Sequence, residues 1–523
     1  MPSPEHFSYM FPREIPEILQ SFTGQIGLVW GGLVAYIVAI VVYRLWFHPL
    51  SRIPGPKLLA VTELPFLYQE HVQGSWPRRV TKLHRQYGNI VRISPNRLAV
   101  DGSIAWSQVY GHRHGKEEFG KVSNYFFPGD GITLIQGNLE NHRRQRRQLA
   151  PGFGDAALTK QEPVLIRHIS KLIRELNEST RRRESVDVTF WLTLMTFDVI
   201  SDLIFTDGFH SLDDAEYRDW AVGSFQAMRG QAFRRFMEAL PLLRPLIGLL
   251  MSTDDVKHND RRRKLAADVA MDKIRSAAQK EPGTGKRWDL ISLMLGQDAE
   301  GERRVQEHEL LANVSILLPA GSETTATALC GIFYYLGRHP KVYEILAHEI
   351  RTAFSSASEI NIKSTARLPY LVAVIEEVLR IYPPGAETPP RVSPGDVVGE
   401  FYIPKGTWVS TYQWASFHNP ENFAEPDSFH PERWLSPTHP LFDHRFDKDN
   451  HFVFKPFSYG PRDCIGRTLA YSEMRIFVSR VMYQFDFVLD GDHDKWLECQ
   501  PIYLVWGKGP LKVKFTSRAA HDQ

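Results

Sequence analysis

Apolar and polar positions are distributed unevenly along the chain. No residue from Ile18 to Tyr43 is charged, and Ile26–Tyr43 is apolar almost throughout. These 18 residues would rise about 27 Å as a helix, close to the roughly 30 Å hydrocarbon core of a bilayer. The pattern predicts a transmembrane anchor at 26–43, a tail at 1–25 before it and a basic, proline-rich hinge at 44–60 after it. Trp30, Tyr36, Tyr43 and Trp46 supply interfacial aromatic residues. In the tail, Arg13 is outnumbered by Glu5, Glu14 and Glu17, whereas Arg44, Arg52 and Lys57 follow the apolar run. That asymmetry predicts a lumenal tail and a cytoplasmic body at 61–523, on a single-pass anchor. A cleaved signal peptide would need a basic start and a shorter apolar stretch.

Past the hinge, a period near 3.6 dominates. It predicts helices at Ser75–Tyr87, Asn141–Leu149, Glu162–Ser179, Val188–Phe205, Arg218–Met237, Lys257–Gln279, Leu310–Leu336, Leu371–Ile381 and Arg467–Tyr483. Short β-type runs stand at Ile90–Val100, Val397–Ile403, Trp408–Tyr412 and Leu511–Phe515. No Gly/Ser linker divides the body, so one mainly α domain with a minor β portion is expected. Between Tyr382 and Gly466 the chain is dense in Gly and Pro and long without periodicity. A stretch of that kind inside a compact domain is usually functional.

Composition narrows the classes. Hydrophobic residues make up 43% and charged residues 23%, which excludes a disordered or fibrous chain. Lys plus Arg total 62 against 60 Asp plus Glu, too even a balance for a nucleic-acid partner. Three cysteines, Cys330, Cys464 and Cys499, make no disulfide framework.

The densest chemistry lies at Phe457–Gly466, reading FSYGPRDCIG. Cys464 precedes a helical run, where backbone N–H groups and the positive dipole end favour thiolate. Gly460 and Gly466 permit tight turns and close approach of a flat ligand. Arg462 is placed to bind an anion. A buried structural cysteine would not explain the Phe, two Gly and Arg at these offsets. The pattern F-x-x-G-x-R-x-C-x-G resembles the haem-binding signature of the cytochrome P-450 family. The resemblance implies the cytochrome P-450 fold, haem b with Cys464 as axial thiolate, Phe457 packed beside the sulfur and Arg462 on a propionate.

Other segments extend the resemblance from Pro54 to the C-terminus. Glu377 and Arg380, with Arg433 from Pro431-Glu432-Arg433-Trp434, look like the family's buried triad; Trp434 stands where Phe is more usual. Ala320-Gly321-Ser322-Glu323-Thr324-Thr325 is similar to the motif that crosses the haem face. The resemblance then implies that Thr324, fed through Glu323 and water, supplies protons, and that Gly321 leaves room for dioxygen. Read without it, the hydroxyls would back-bond to helix carbonyls. Pro319 directly precedes the motif and predicts a kink. In Asn141–Arg147, His142 replaces the family's Trp and Arg146 keeps its Arg; both are expected on a propionate, as is Arg391.

The phrase Tyr43–Leu50 ahead of Ile53-Pro54-Gly55-Pro56 is similar to fungal microsomal members, of the isotrichodermin hydroxylase-like or versicolorin desaturase-like kind. The implied activity is hydroxylation, desaturation or epoxidation of an apolar terpenoid or polyketide intermediate. Dioxygen and electrons from a separate NADPH-cytochrome P-450 reductase are implied, with cytochrome b5 and membrane lipid as further partners. The expected location is the endoplasmic reticulum membrane. Substrate contacts are expected from Ser123–Phe127, Ala320, Thr324, Gly385–Pro389 and Ile502–Leu504, with Phe126, Phe127, Ala320 and Ala386 foremost and Phe233–Met251 near the entrance. A haem protein that senses or carries a ligand is the alternative, and a cysteine-nucleophile hydrolase a remoter one.

Overall fold

The computed structural model describes residues 15–123, 125, 132–205, 207–241, 268–275, 289–296 and 305–518. Three helices are long and apolar enough to cross a membrane, and burial separates them. The apolar window of Gly27–Phe47 has no buried residue, whereas Val188–Phe205 and His308–Arg338 are mostly buried inside the body. A helix that is apolar all round must either be enclosed by protein or lie in lipid. The two enclosed helices cross at Gly321, where a Cβ would stand 2.6 Å from Ile200 Cγ1. Gly321 therefore lets two backbones approach, rather than leaving open space on that side as the sequence had led us to expect.

The first helix begins at Ile15, so residues 15–25 continue it instead of forming a separate tail. It ends in a wide π-type turn, Tyr43–Phe47. This junction is fastened to the body: Arg92, in strand Ile90–Ser94, is almost fully buried, and its Nη1 donates to the Arg44 carbonyl at 2.8 Å. Its other nitrogens donate to the Pro95 carbonyl at 3.0 and 3.3 Å, and its amide donates to Pro54 O. Leu50 and Ile53 of the hinge are buried beneath it.

The expected helices form, several with shifted ends. Val188–Phe205 is reproduced. The helix at Leu139–Leu149 starts earlier because the Asn138 side chain caps it. Asp155–Arg182 runs through Pro163. Arg218–Met237 is divided into Arg218–Val222 and Ser224–Ala239 at Gly223. Of Lys257–Gln279, residues 268–275 are helical and the remainder lies outside the described residues. The central helix runs unbroken over Glu307–Arg338, through Pro319.

The β portion is small. One sheet has the order Ile90–Ser94, Arg97–Val100, Trp408–Ser410, Arg391–Val392, Gly120–Lys121. Its single parallel pairing joins Arg97–Val100 to Trp408–Ser410, and Arg391 sits opposite Val409. A three-stranded sheet joins Val186–Asp187, Lys512–Ser517 and Phe485–Leu489.

The irregular chain before Cys464 is held by buried charge. Arg380 donates from Nε and Nη2 to the two Glu377 carboxylate oxygens at 2.9 and 2.7 Å. Its remaining donors reach the carbonyls of Phe417, Pro426 and Ser428. Arg433 adds an ion pair to Glu377 at 3.2 Å and another to Asp449. Two acids thus balance two guanidinium groups, and every member has partners, the condition under which buried charge is tolerated. Asp449 completes this balance and had not been picked out from the sequence. Trp434 Nε1 donates to Glu377 at 2.8 Å, a bond that Phe cannot make. Trp434→Phe is expected to cost about 1–2 kcal/mol, one hydrogen bond to a buried charged group, read as a lower guanidinium chloride midpoint at unchanged slope.

Candidate active site

Cys464 faces an internal cavity of about 1710 Å³, the part open to solvent included. Ala320, Gly321, Thr324, Thr325 and Ala328 of the central helix form one wall. Phe457, Ser458 and Arg462–Gly466 form another, and Leu469, Ala470, Glu473 and Met474 lie on the helix that follows. The loop is shaped by two left-handed residues, Ser458 (φ 61°) and Gly460 (φ 81°), and by the Cys464 amide donating to Phe457 O at 2.9 Å. Gly460 makes its close approach to protein: a Cβ would stand 2.1 Å from the Tyr110 carbonyl oxygen. It does not line the cavity, contrary to its expected role under a flat ligand; Gly466 does.

Burial pushes the Cys464 thiol above its ordinary pKa. The Gly466 N–H pulls the other way, as do Arg467 and Arg146. Desolvation therefore outweighs the helix end that the sequence pointed to, and the thiolate needs a cation at the sulfur to persist.

Four expected cationic or polar groups converge on the same cavity: His142, Arg146, Arg391 and Arg462. Arg462 is held by Glu118 at 2.7 Å and by Gly137 O at 2.7 Å. Arg146 reaches Asp463 at 2.6 Å. His142 Nδ1 bonds Leu134 O at 2.8 Å, its Nε2 lies 3.2 Å from Pro461 O, and burial lowers its pKa. Arg391 is buried with its Nε unpartnered, and desolvation first, then Arg462, lowers its pKa to about 10. Two buried guanidinium groups beside one glutamate leave an unmet demand for negative charge.

Thr324 lines the cavity, and its hydroxyl donates to Ala320 O at 2.7 Å. Ser322, Thr325 and Thr327 back-bond in the same way. Glu323 is different: it is nearly fully buried outside the cavity and ion-paired with Lys508. Lys508 Nζ also donates to Thr327 Oγ1 at 2.9 Å. Lys508 was not identified from the sequence. It lies 185 residues away in a loop between Gly507 and Gly509, where no local pattern marks it.

Among the expected substrate contacts, Ala320 lines the cavity. Ala386 is fully buried and absent from the cavity wall; its neighbours Gly385, Glu387, Thr388 and Pro389 form that wall instead. The Ala386 carbonyl accepts from the Trp414 amide, which places this residue on the protein side of the segment. Phe126 and Phe127 lie outside the described residues, as does all of 242–251. Phe236 packs on the cluster of Phe66, Trp76 and Tyr412, away from the cavity.

These residues fit an iron porphyrin. The thiol is available at an apolar wall, the unpaired Arg391 Nε and its charged neighbours suit carboxylate groups, and Gly466 keeps the approach to the sulfur open. The sequence model of the Cytochrome P450 family matches residues 53–515. The chain is 35% identical to trichothecene C-15 hydroxylase of Fusarium sporotrichioides over 503 residues, 94% of this chain and 98% of that protein. It is 36% identical to the cytochrome P450 monooxygenase astJ of Aspergillus oryzae, over 91% and 94% of the two chains. Identity to averantin hydroxylase of Dothistroma septosporum is 34%, over 93% of this chain and 90% of that one. With the thiol, the cavity and the charged set in one place and similarity along nearly the whole length, the chain belongs to the cytochrome P450 family and is a haem-thiolate monooxygenase.

Proposed function

We propose that this monooxygenase hydroxylates a largely apolar, neutral polycycle in fungal secondary metabolism, from a single-pass anchor in the endoplasmic reticulum membrane. The cavity carries this reading, since Cys464 and Thr324 share one mainly apolar chamber. The relatives' names supply the pathway class: one is a trichothecene hydroxylase and another an averantin hydroxylase. Desaturation and epoxidation use the same residues and stay within the proposal.

Haem held through Cys464 supplies dioxygen activation and the oxidation of a C–H bond. The protein's own part is positional. Arg391, Arg462, Arg146 and His142 would hold the propionates, and Arg391 would gain the countercharge that it lacks. Phe457 would shield one side of the sulfur, its ring tilted against that of Tyr471 at 5.1 Å between centroids. Thr324, whose hydroxyl donates to Ala320 O, offers lone pairs to a water, and it must turn away from that carbonyl to give a proton into the cavity. Glu323 feeds such a relay only by leaving Lys508. Electrons come from a separate NADPH-dependent reductase, and cytochrome b5 is a second proposed donor.

The test is the carbon monoxide difference spectrum of the reduced full-length protein. A strongly red-shifted Soret band is expected, lost in Cys464→Ala while the fold persists. A band at the position of histidine-ligated haem would overturn the proposal. With reductase, NADPH and a trichothecene or anthraquinone panel, product is expected; electron consumption without any product would favour a ligand carrier.

A further inference from the structure

Most ionisable residues around the cavity belong to the haem end, but Glu387 does not. It lies on the wall segment Gly385–Pro389, is nearly fully buried, and hydrogen-bonds a second buried acid, Glu70. The Leu504 amide also donates to Glu387. Glu70 comes from the wide turn Gln69–Gln73, against which helix Ser224–Ala239 packs. That helix contributes Arg235, whose guanidinium stands over the Tyr125 ring at 4.2 Å and donates to the Tyr125 carbonyl at 3.2 Å. Distant segments of the chain thus meet in one polar cluster beside an apolar chamber.

Among the described residues, three atoms of the cluster lack partners, none of them on Glu387, its one member on the cavity wall. Glu70 Oε2, His71 Nδ1 and Arg235 Nε are all buried without a hydrogen bond. An unsatisfied buried polar atom is costly, so three together call for an explanation. The charge count narrows the explanation. Burial and mutual repulsion keep a proton on the acid pair, leaving one negative charge, which Arg235 balances. Arg97 is balanced by Glu63 at 3.6 Å, and burial lowers the pKa of His71, keeping it neutral. Counted over the described residues the cluster is neutral, and Glu387, its member on the cavity wall, suits a neutral oxygen function better than a cation or an anion.

We propose that Glu387, backed by Glu70 and Arg235, recognises a hydroxyl group of the substrate, so that the preferred substrate is an oxygenated polycycle instead of a plain hydrocarbon. This rests on the monooxygenase reading and makes Glu387 a specificity-determining residue within it.

The test uses ligands that bind any thiolate haem, so it needs no knowledge of the substrate. Alkylimidazoles with tails of roughly six to twelve carbons, the reach of a cavity of this size, are compared with their terminal alcohols. Affinity is read from the nitrogen-ligand shift of the Soret band on the full-length protein. At one chain length the alcohol is expected to bind about tenfold tighter than the methyl-ended parent, the scale of one good hydrogen bond. The gain should disappear in Glu387→Leu and survive in Glu387→Gln. Carboxylate and ammonium tails should gain nothing. In Arg235→Met, where one negative charge is unbalanced, the ammonium tail should gain instead, which keeps the idea testable should Glu387→Leu not fold. The inference is overturned if the alcohol is penalised at every length in the wild type, or if its advantage persists in Glu387→Leu. A missing carbon monoxide band in the wild type would indict the monooxygenase reading, not this one.

Discussion

Glu377→Ala is expected to abolish the folded haem domain. The carboxylate receives Arg380, Arg433, the Trp434 indole and the His430 amide, and it is fully buried. Its removal strands two guanidinium groups in a dry interior with Asp449 as their remaining acid. Breaking a buried pair in this way costs about 3–5 kcal/mol, a large share of a typical total stability. The fragment most affected is the irregular chain from Phe417 to Ser428, since Arg380 ties its carbonyls to the same node. That chain leads to the Cys464 loop, so haem should be lost before helices melt. The measurement is soluble yield, with the carbon monoxide band and far-ultraviolet dichroism followed together. Full haem incorporation in Glu377→Ala would sink the account. Glu377→Gln, which keeps the shape and some acceptors, should fall between.

Thr324→Val is expected to separate electron consumption from product. Valine fills nearly the same space and removes one hydroxyl, which in this structure donates to Ala320 O at 2.7 Å. Positioned proton transfer is worth about 10²–10⁴-fold, so product formed per NADPH consumed should fall by about a hundredfold or more. NADPH oxidation should persist, because the substitution leaves Cys464 and the charged groups of the cavity in place. Unchanged coupling in Thr324→Val would remove Thr324 from the relay. Glu323 needs a different experiment, since it is buried with Lys508. Lys508→Met leaves an unpaired buried carboxylate and should destabilise the protein as a buried broken pair does. Adding Glu323→Gln to it should restore much of that loss, which a double-mutant cycle would measure.

Local sequence revealed what local physics decides. Val188–Phe205 and the central helix follow from apolar periodicity, and the Cys464 loop from residues at fixed offsets. Asp449, Lys508 and Glu70 escaped because their meaning lies in partners far along the chain. No periodicity records that Lys508 meets Glu323, nor that Glu70 meets Glu387. Gly460 was read for the right property, small size, with the wrong neighbour, the Tyr110 carbonyl, whereas Gly321 lines the cavity and also lets Ile200 approach. Ala386 missed by one position, because an irregular segment carries no period that says which side chain faces inward. The Cys464 thiol shows the same limit in energetic terms, since the helix end is visible in sequence and the burial that outweighs it is not.

The buried Arg92, bonded to the Arg44 carbonyl, gives the first helix a stiff joint with the body. A stiff joint is a lever. In a thinner bilayer a long apolar helix leans over to hide its length, and a flexible tether would absorb the lean. On the proposed membrane anchor the lean would pass to the whole catalytic body, and membrane thickness would set how that body stands above the lipid. Proteins of identical sequence would then meet a reductase of fixed height more or less squarely in membranes of different sterol content, and lipid composition would act as a throttle on turnover.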